Sequence, residues 1–383
     1  MSPTRTGNVL NWASDIDPNA LDQAQLAASM PFVDGPVALM PDAHVGMGAT
    51  IGSVIPTRGA IIPSAVGVDI GCGMIAVECP FTSDVLPDNL DNLHAAISDV
   101  VPAGVGRGHD TARVATILDD DRTEGLSQKQ ESTAAKQLGS LGSGNHFVEV
   151  CLDERDRAWV VLHSGSRGIG NQLARQHIDG AKALMARYFI DLDDPDLAYL
   201  VEGTPEFDAY IRHMLWAQDY ALANREVMMD AVLVQVAGAI GHQFDESQRI
   251  NCHHNFTEME HHRGHNVWVT RKGAIRAREG DRGVIPGSMG TRSYIVSGKG
   301  AAASYDSCSH GAGRRMSRSK ARRELDTDGL TEAMAGKAWN GNAKELIDED
   351  PRAYKDIDQV MADQDDLVTI EHTLSQILNY KGL

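Results

Sequence analysis

Aromatic residues make up only 5% of the 383 positions. That scarcity argues against a module that grips single-stranded nucleic acid by stacking bases on aromatic faces. No run of 18 apolar residues occurs, so no membrane-spanning helix is expected. The opening MSPTRTGNVLNWASDID is charged and has no apolar centre, which argues against a secretory signal. No CxxC pair is present. The five cysteines, Cys72, Cys79, Cys151, Cys252 and Cys308, are odd in number and widely spread, which fits a reducing cytoplasm better than a disulfide framework. The Gly-x4-Gly-Lys-Ser/Thr pattern is missing, which excludes a standard P-loop. There is no internal repeat and no Pro/Ser-rich linker, so residues 1–383 are expected to form one mixed α/β unit.

Glycine is abundant, at 37 residues, and suits a fold with many tight loops. The net charge of −18 by itself disfavours a polyanionic partner. Its distribution reverses that inference. Between Arg263 and Arg323 there are 14 Lys and Arg against three acids, a local charge of +11 that leaves −29 on the remainder. An acidic body with one basic segment is the footprint of a localised polyanion site. The segment is rich in Gly and Ser and reads as loop.

Short apolar runs punctuated by glycine predict buried strands at 37–40, 51–55, 60–62 and 74–77. Residues 84–100 read as a helix and 105–135 as a polar, mobile excursion. Strands at 148–152 and 158–162 are expected to pair around Asp153–Asp156. Residues 171–239 read as helical around an acidic loop at 191–196. Further strands are expected at 267–270 and 293–296, and helices at 315–324 and 328–337. Leu367, Ile370, Leu374 and Ile377 fit either a helix or a strand.

Several groups carry chemistry. Met40-Pro-Asp42-Ala-His44 and Gly67-Val-Asp69-Ile-Gly-Cys72-Gly73 are short, glycine-flanked, and end in groups that bind metal. A carboxylate with a thiolate suits a divalent transition metal, and a thiolate can bridge two ions. His146, His163, His254 and His310 each stand where a strand gives way to a small-residue loop, the usual place for a site. His261, His262 and His265 read as a polar surface loop. Ser307-Cys-Ser-His310-Gly-Ala-Gly313-Arg314-Arg315-Met-Ser-Arg318 joins a histidine, a small-residue run and three arginines. Its backbone N–H groups could approach a phosphate, and the arginines match phosphate oxygens. The loops 164–170 and 286–291 could cradle phosphate in the same way. Asn145, Glu149, Ser293, Tyr354 and Lys381 could serve a purine, although residue chemistry alone does not select them.

Taken in order, Asp69-Ile-Gly-Cys72-Gly, Gly144-Asn145-His146-Phe147-Val-Glu149, His163-Ser-Gly-Ser-Arg167-Gly, His254-Asn255, Pro286-Gly-Ser288-Met-Gly-Thr-Arg-Ser293 and His310-Gly-Ala-Gly313-Arg resemble the RtcB family of RNA ligases. The resemblance runs from about Pro41 to Lys381. It implies a single α/β architecture around a dinuclear metal centre. It also implies joining of RNA 3′-phosphate or 2′,3′-cyclic phosphate ends to 5′-hydroxyl ends with GTP and two Mn(II) ions. Asp69, Cys72 and His146 would hold one ion, and Cys72, His163 and His254 the other. His310 would take GMP. Asn145, Phe147, Glu149, Ser288, Ser293, His310, Ala312, Gly313, Tyr354 and Lys381 would meet the guanine nucleotide, and Arg167, Lys272 and Arg318 the RNA. The RNA could be a spliced transfer RNA or a cleaved RNA under repair. Two other readings compete. A dinuclear hydrolase of cyclic phosphates explains the metal-type residues but not His310 with Gly-Ala-Gly. An RNA-binding module explains the basic segment but needs no clustered ligands.

Overall fold

Apolar residues in the middle of the chain alternate between two faces. In strand Gly73–Thr82, Ile75 and Val77 belong to one buried cluster, Met74 and Ala76 to another. In Phe147–Leu152 and Arg157–Ser164, Val148, Val150, Val160 and Leu162 join the first cluster, while Phe147, Cys151, Trp159 and Val161 join the second. A period of two with both sets apolar requires a sheet covered on both faces. The computed structural model, which describes residues 2–382, contains that sheet. Its strands run Gln248–His253, Gly73–Thr82, Arg157–Ser164, Phe147–Leu152, Val368–Lys381, Ser293–Gly298 and Arg282–Ile285, each pair antiparallel. Ala338–Trp339 lies parallel beside Val368–Lys381.

Helix Pro205–Ile240 covers the first face through Met228, Met229, Val232 and Val236. Its ends are written in the sequence. Thr204 accepts a hydrogen bond from Phe207 N, Pro205 opens the first turn, and Gly241 closes it in the left-handed conformation. On the second face, Ile250 and Val284 share a cluster although they come from opposite ends of the strand order, so the sheet curls back on itself.

A six-stranded sheet runs Thr4–Thr6, Val9–Asn11, Val37–His44, Ile51–Thr57, His265–Lys272 and Asn255–His262. Helix Pro18–Ala28 packs Ala24 and Ala27 on Val37, Leu39 and Ile55. Ala38, Met40, Val267 and Val269 turn the other way, toward Ile285, Val296 and Val360. The chain passes from one sheet to the other at His253-His254-Asn255.

The mixed α/β class is as expected, and so are the strands. The helical stretch is two helices, Arg167–Arg187 and Pro205–Ile240. Three expectations are corrected. The 105–135 excursion runs into helix Gln128–Gln137, started by a Ser127/Gln130 capping box and anchored by buried Ala134 and Gln137. His261, His262 and His265 stand at the tip of a β-hairpin. The basic segment is not all loop, since it holds strands at 265–272, 274–276, 282–285, 293–298 and 307–309. Among the described residues no helix is long and apolar enough to cross a membrane.

Candidate active site

Five sequence-nominated side chains converge where the two sheets meet. Cys72 Sγ lies 3.4 Å from His146 Nε2 and 3.3 Å from His163 Nε2. His163 Nε2 is 2.9 Å from His254 Nε2, and His146 Nε2 is 3.0 Å from Asp69 Oδ2. The donors form two groups, Asp69–Cys72–His146 and Cys72–His163–His254, with Cys72 in both. His146 Nδ1 faces Leu141 O at 2.8 Å and His163 Nδ1 faces Asn145 O at 3.0 Å. A carbonyl can only accept, so each Nδ1 carries the proton and each Nε2 lone pair points into the cluster. Burial, followed by His146, holds the His163 imidazole neutral; burial, followed by His310, does the same for His254. Burial also raises the Asp69 carboxyl, but the hydrogen bond and charge of His146, with Arg167 and Cys72, together outweigh it and leave the group ionised, at about 2. Burial and then Asp69 push the Cys72 thiol well up. Neutral imidazoles, a carboxylate and a shared sulfur, with lone pairs crowded together, form a donor set that fits two transition-metal cations.

The long helix fixes this geometry. Arg225 is fully buried, and its guanidinium donates to Gly71 O (2.8 Å), Ser164 O (3.0 Å) and Asn251 Oδ1 (2.7 Å). It thus ties together the segments that carry Cys72, His163 and His254. Neighbouring Asn224 donates to Ser140 O and Gly165 O. Gly165 has to be glycine, because a Cβ there would lie 2.2 Å from Asp69 Oδ1.

His310 faces the same cavity, its ring centroid 4.8 Å from that of His254. Asp42 Oδ2 accepts from His310 Nδ1 at 2.6 Å, from His310 N at 3.0 Å and from Gly311 N at 3.2 Å. The carboxylate therefore fixes the Nδ1–H tautomer and leaves Nε2 free as a nucleophile. Burial raises the Asp42 carboxyl most, but the charge and hydrogen bonds of His310, with His44, together outweigh that, so it sits below its usual value. Asp42 looked metal-capable in the sequence; its partner is instead His310. His44 follows two residues on, with Nδ1 2.9 Å from Asp42 O, and burial lowers it to about 4.

Several backbone N–H groups of the expected phosphate cradles are already engaged within the protein. The N–H groups of His310 and Gly311 go to Asp42, and that of Ala312 goes to Pro286 O. In loop 286–291, Gly287 N donates to Ser293 Oγ, Ser288 N to Thr291 Oγ1 and Gly290 N to Gln376 Oε1. In loop 164–170, Gly168 N donates to Gln137 Oε1 and Gly170 N to Ser166 O. Close packing is what the small residues serve, as at Gly313, where a Cβ would come 2.2 Å from Asp42 O.

A cavity of about 380 Å³ opens beside His310, within the range of small-ligand sites. Asn145, Phe147, Glu149, Ser288, Ala312, Gly313, Tyr354 and Lys381 line it; Ser293 stands behind the wall. Burial holds the Glu149 carboxyl up, at about 8, against the opposing charge of Lys381. Lys381 Nζ sits 2.8 Å from Glu349 Oε2 and 5.7 Å from the Phe147 ring centre.

The three nominated RNA contacts are placed differently. Arg318 lines the cavity and pairs with Asp348 (2.7 Å) and Glu349 (2.6 Å). Lys272 also lines it but is buried, with Nζ donating to Met47 O and Ser64 O, and burial lowers it to about 8. Arg167 packs behind His146, with Nη1 3.4 Å from its Nδ1. Much of the basic segment is neutralised from elsewhere in the chain. Arg271 pairs with Glu260 in the interior, Arg282 with Glu371, and Arg322 with Asp348. Asp42 as the partner of His310, and Arg225, Asp348 and Glu349, were missed in the sequence. The run Asp348-Glu349-Asp350 was the available signal: three consecutive acids, which the structure buries.

Residues 23–124 and 114–382 match the family described as tRNA-splicing ligase RtcB. The chain is 44% identical to the RNA-splicing ligase RtcB of Escherichia coli strain K12, covering 99% of this chain and 98% of the relative. It is 30% identical to the RNA-splicing ligase RtcB of Mycobacterium tuberculosis, covering 87% and 93%. It is 29% identical to the tRNA-splicing ligase RtcB of Nanoarchaeum equitans, covering 94% and 89%.

Proposed function

The chain belongs to the RtcB family, and from that premise we propose that it is an RNA ligase that seals 3′-phosphate or 2′,3′-cyclic phosphate ends to 5′-hydroxyl ends, with GTP as co-substrate and two Mn(II) ions. The observation that carries the reading is the Asp42–His310 pair: a buried carboxylate 2.6 Å from Nδ1 leaves Nε2 free at a cavity wall beside the converged metal-type donors.

In this reading His310 Nε2 attacks the α-phosphorus of GTP. The new P–N bond forms as the bond to pyrophosphate breaks, and Asp42 stabilises the ring, which becomes cationic. GMP then passes to the RNA 3′-phosphate and regenerates free His310. The 5′-hydroxyl attacks the activated 3′-phosphorus, and GMP departs. Activation is needed because a bare 3′-phosphate would otherwise have to expel oxide.

Asp69, Cys72, His146, His163 and His254 would hold the metal ions, which when bound supply Lewis-acid stabilisation of phosphoryl oxygens. Asn145, Phe147, Glu149, Ser288, Ala312, Gly313, Tyr354 and Lys381 would form the nucleotide site. Ser293 would support its loop from behind the wall. Glu149 can accept from guanine N1–H and N2–H together; adenine offers no such pair, and sites of this kind discriminate by about 10⁴. Arg318 would meet RNA phosphate at the mouth, with Lys272 deeper in. Arg167 would act on His146 and Asp69 from behind.

The test is labelling with GTP radioactive at the α-phosphorus in the presence of Mn(II). The protein should acquire an acid-labile, alkali-stable label, and His310→Ala should abolish it while melting normally. Full labelling of that variant would refute the nucleophile assignment.

A further inference from the structure

We infer that Glu349, which lines the same cavity, is a positioning residue that keeps the Lys381 ammonium off Glu149 and so leaves Glu149 to read the guanine edge. The inference rests on the guanine site proposed above.

Strand register sets the problem. Lys381 lies opposite Phe147, and Asn379 lies opposite Glu149. Residues two apart share a face, so Lys381 and Glu149 are diagonal neighbours on an antiparallel pair, within reach of long side chains. Both are buried, as is Glu349. One ammonium therefore stands between two carboxyl groups in a place where ionic attraction is strong. Left alone, Lys381 would close onto Glu149 and fill the edge that guanine has to occupy.

The structure resolves the competition in favour of Glu349. Its Oε2 accepts from Lys381 Nζ at 2.8 Å and from the Tyr354 hydroxyl at 2.8 Å, and its Oε1 accepts from Arg318 Nη1 at 2.6 Å. Glu149 has Asn379 Nδ2 at 2.7 Å, and no Lys381–Glu149 ion pair forms among the described residues. Three strong donors hold the Glu349 carboxylate in place, so it keeps the ammonium. Glu149, whose Oε1 accepts from Asn379 Nδ2 at 2.7 Å and whose Oε2 lies 3.8 Å from Cys151 Sγ, lines the cavity unpaired with the ammonium and so keeps its remaining lone pairs for a guanine edge. None of this was assigned to Glu349 by its sequence context.

The test is a double-mutant cycle on self-guanylylation, with GTP titrated at saturating Mn(II). Glu349→Gln keeps the shape: its amide oxygen can still accept from Arg318 Nη1, while an amide nitrogen at the Oε2 position donates to the Tyr354 oxygen and no longer holds Lys381. It should raise the half-saturating GTP at least tenfold and change the maximal rate less than threefold. In a Lys381→Met background the same substitution should change half-saturation less than twofold, because no ammonium remains to move. Equal cost in both backgrounds would make Glu349 merely structural and overturn the inference; so would an unchanged half-saturation in Glu349→Gln alone. If Glu349→Gln does not fold, the cycle is run with Glu349→Asp, where a cost of at least threefold that vanishes with Lys381→Met is expected. Equal cost in both backgrounds again overturns it. A wild-type protein that takes no label from GTP would instead refute the proposed function itself.

Discussion

Asp42→Asn isolates the electrostatic part of the nucleophile's environment. Asp42 Oδ2 gathers three donors around His310, while its buried Oδ1 has no hydrogen-bond partner. Asparagine fits the space and can still present an oxygen to those donors, so folding should survive. Its amide nitrogen then lies at the Oδ1 position with nothing to donate to. More important, the negative charge is gone. Once His310 Nε2 bonds to phosphorus with Nδ1 still protonated, the ring is cationic and needs that charge. Two unit charges about 4 Å apart interact by about 4 kcal/mol at an effective dielectric of 20. The retained neutral hydrogen bond returns part of this, leaving a loss of about 2–4 kcal/mol, or roughly 30- to 1,000-fold in rate. The assay is single-turnover self-guanylylation at saturating GTP, alongside bound metal and melting temperature. Asp42 touches none of the metal-type donors, so metal content should be unchanged. A single-turnover rate within threefold of wild type would refute the reasoning.

Three further outcomes follow from the same geometry. Arg225→Met should destabilise the fold by about 3 kcal/mol or more, since it removes buried donors from Ser164 O and Asn251 Oδ1 and leaves Gly71 O with His253 Nδ1 alone, and should lower metal content with it; chemical denaturation checks this, and an unchanged midpoint refutes it. Glu149 carries a carboxyl raised by burial from 4.5 to about 8, so the nucleotide-free folded state holds a proton that the unfolded chain releases. Stability should therefore fall as pH rises through that window, and Glu149→Gln should remove the fall; its melting advantage over wild type should grow by several degrees between about pH 5 and 8.5, and a constant difference refutes the shift. Metal binding must deprotonate Cys72, whose thiol is held up by burial and Asp69. Apparent affinity for the first ion should then rise about tenfold per pH unit near neutrality, as titration of metal-stripped protein would show, and pH-independent affinity would mean a preformed thiolate.

How much of this could be read from the sequence varied with the range of the interaction. The runs at 74–77 and 158–162 showed as strands because both faces of their sheet are buried, and that leaves continuous apolar stretches. The last strand, Val368–Lys381, stayed ambiguous for a local reason. Its register shifts between Gln376 and Leu378, so Leu374 and Leu378, which an unbroken strand would place on one face, join different clusters and the alternation is lost. The metal-type residues were legible because Asp69, Cys72 and His146 stand in glycine-rich loops just before strands, and His163 and His254 at strand ends. Asp42 with His310 was not, since 268 positions separate the partners and no local pattern links them. The packing role of the small residues after His310 was not legible, because a glycine required for close packing looks the same in sequence as one required for an exposed amide. The basic segment misled for a related reason. Counting charge along a chain cannot show that Glu260, Glu371 and Asp348 fold back to meet it.

The position of the site follows from one topological event. The chain leaves the curled sheet at His253 and enters the six-stranded sheet at Asn255, so His254 lies in the crossing itself. There the backbone ties the two sheets together. His254 N donates to Cys72 O at 2.8 Å, and Gly71 N donates to Asn255 O at 2.7 Å. The Asn255 side chain donates to Asp69 O and accepts from Gly273 N. A loop that carries two metal-type ligands is thus fastened by main-chain bonds to the segment that carries a third. Arg225 and Asn224 reach in from the helix to hold the segment that carries the fourth. Crowded lone pairs repel one another and would relax apart on a loose scaffold. These are held by separate anchors on two sheets and one helix, so the fold itself bears that repulsion and a cation would relieve it. His310 comes from the strand Ser307–Ser309, and its Asp42 clamp comes from Val37–His44, both outside that anchoring set. In the proposed reaction, which would load and unload His310 in every cycle, these anchors stay in place, and a change of charge on His310 reaches the cluster through neighbouring His254.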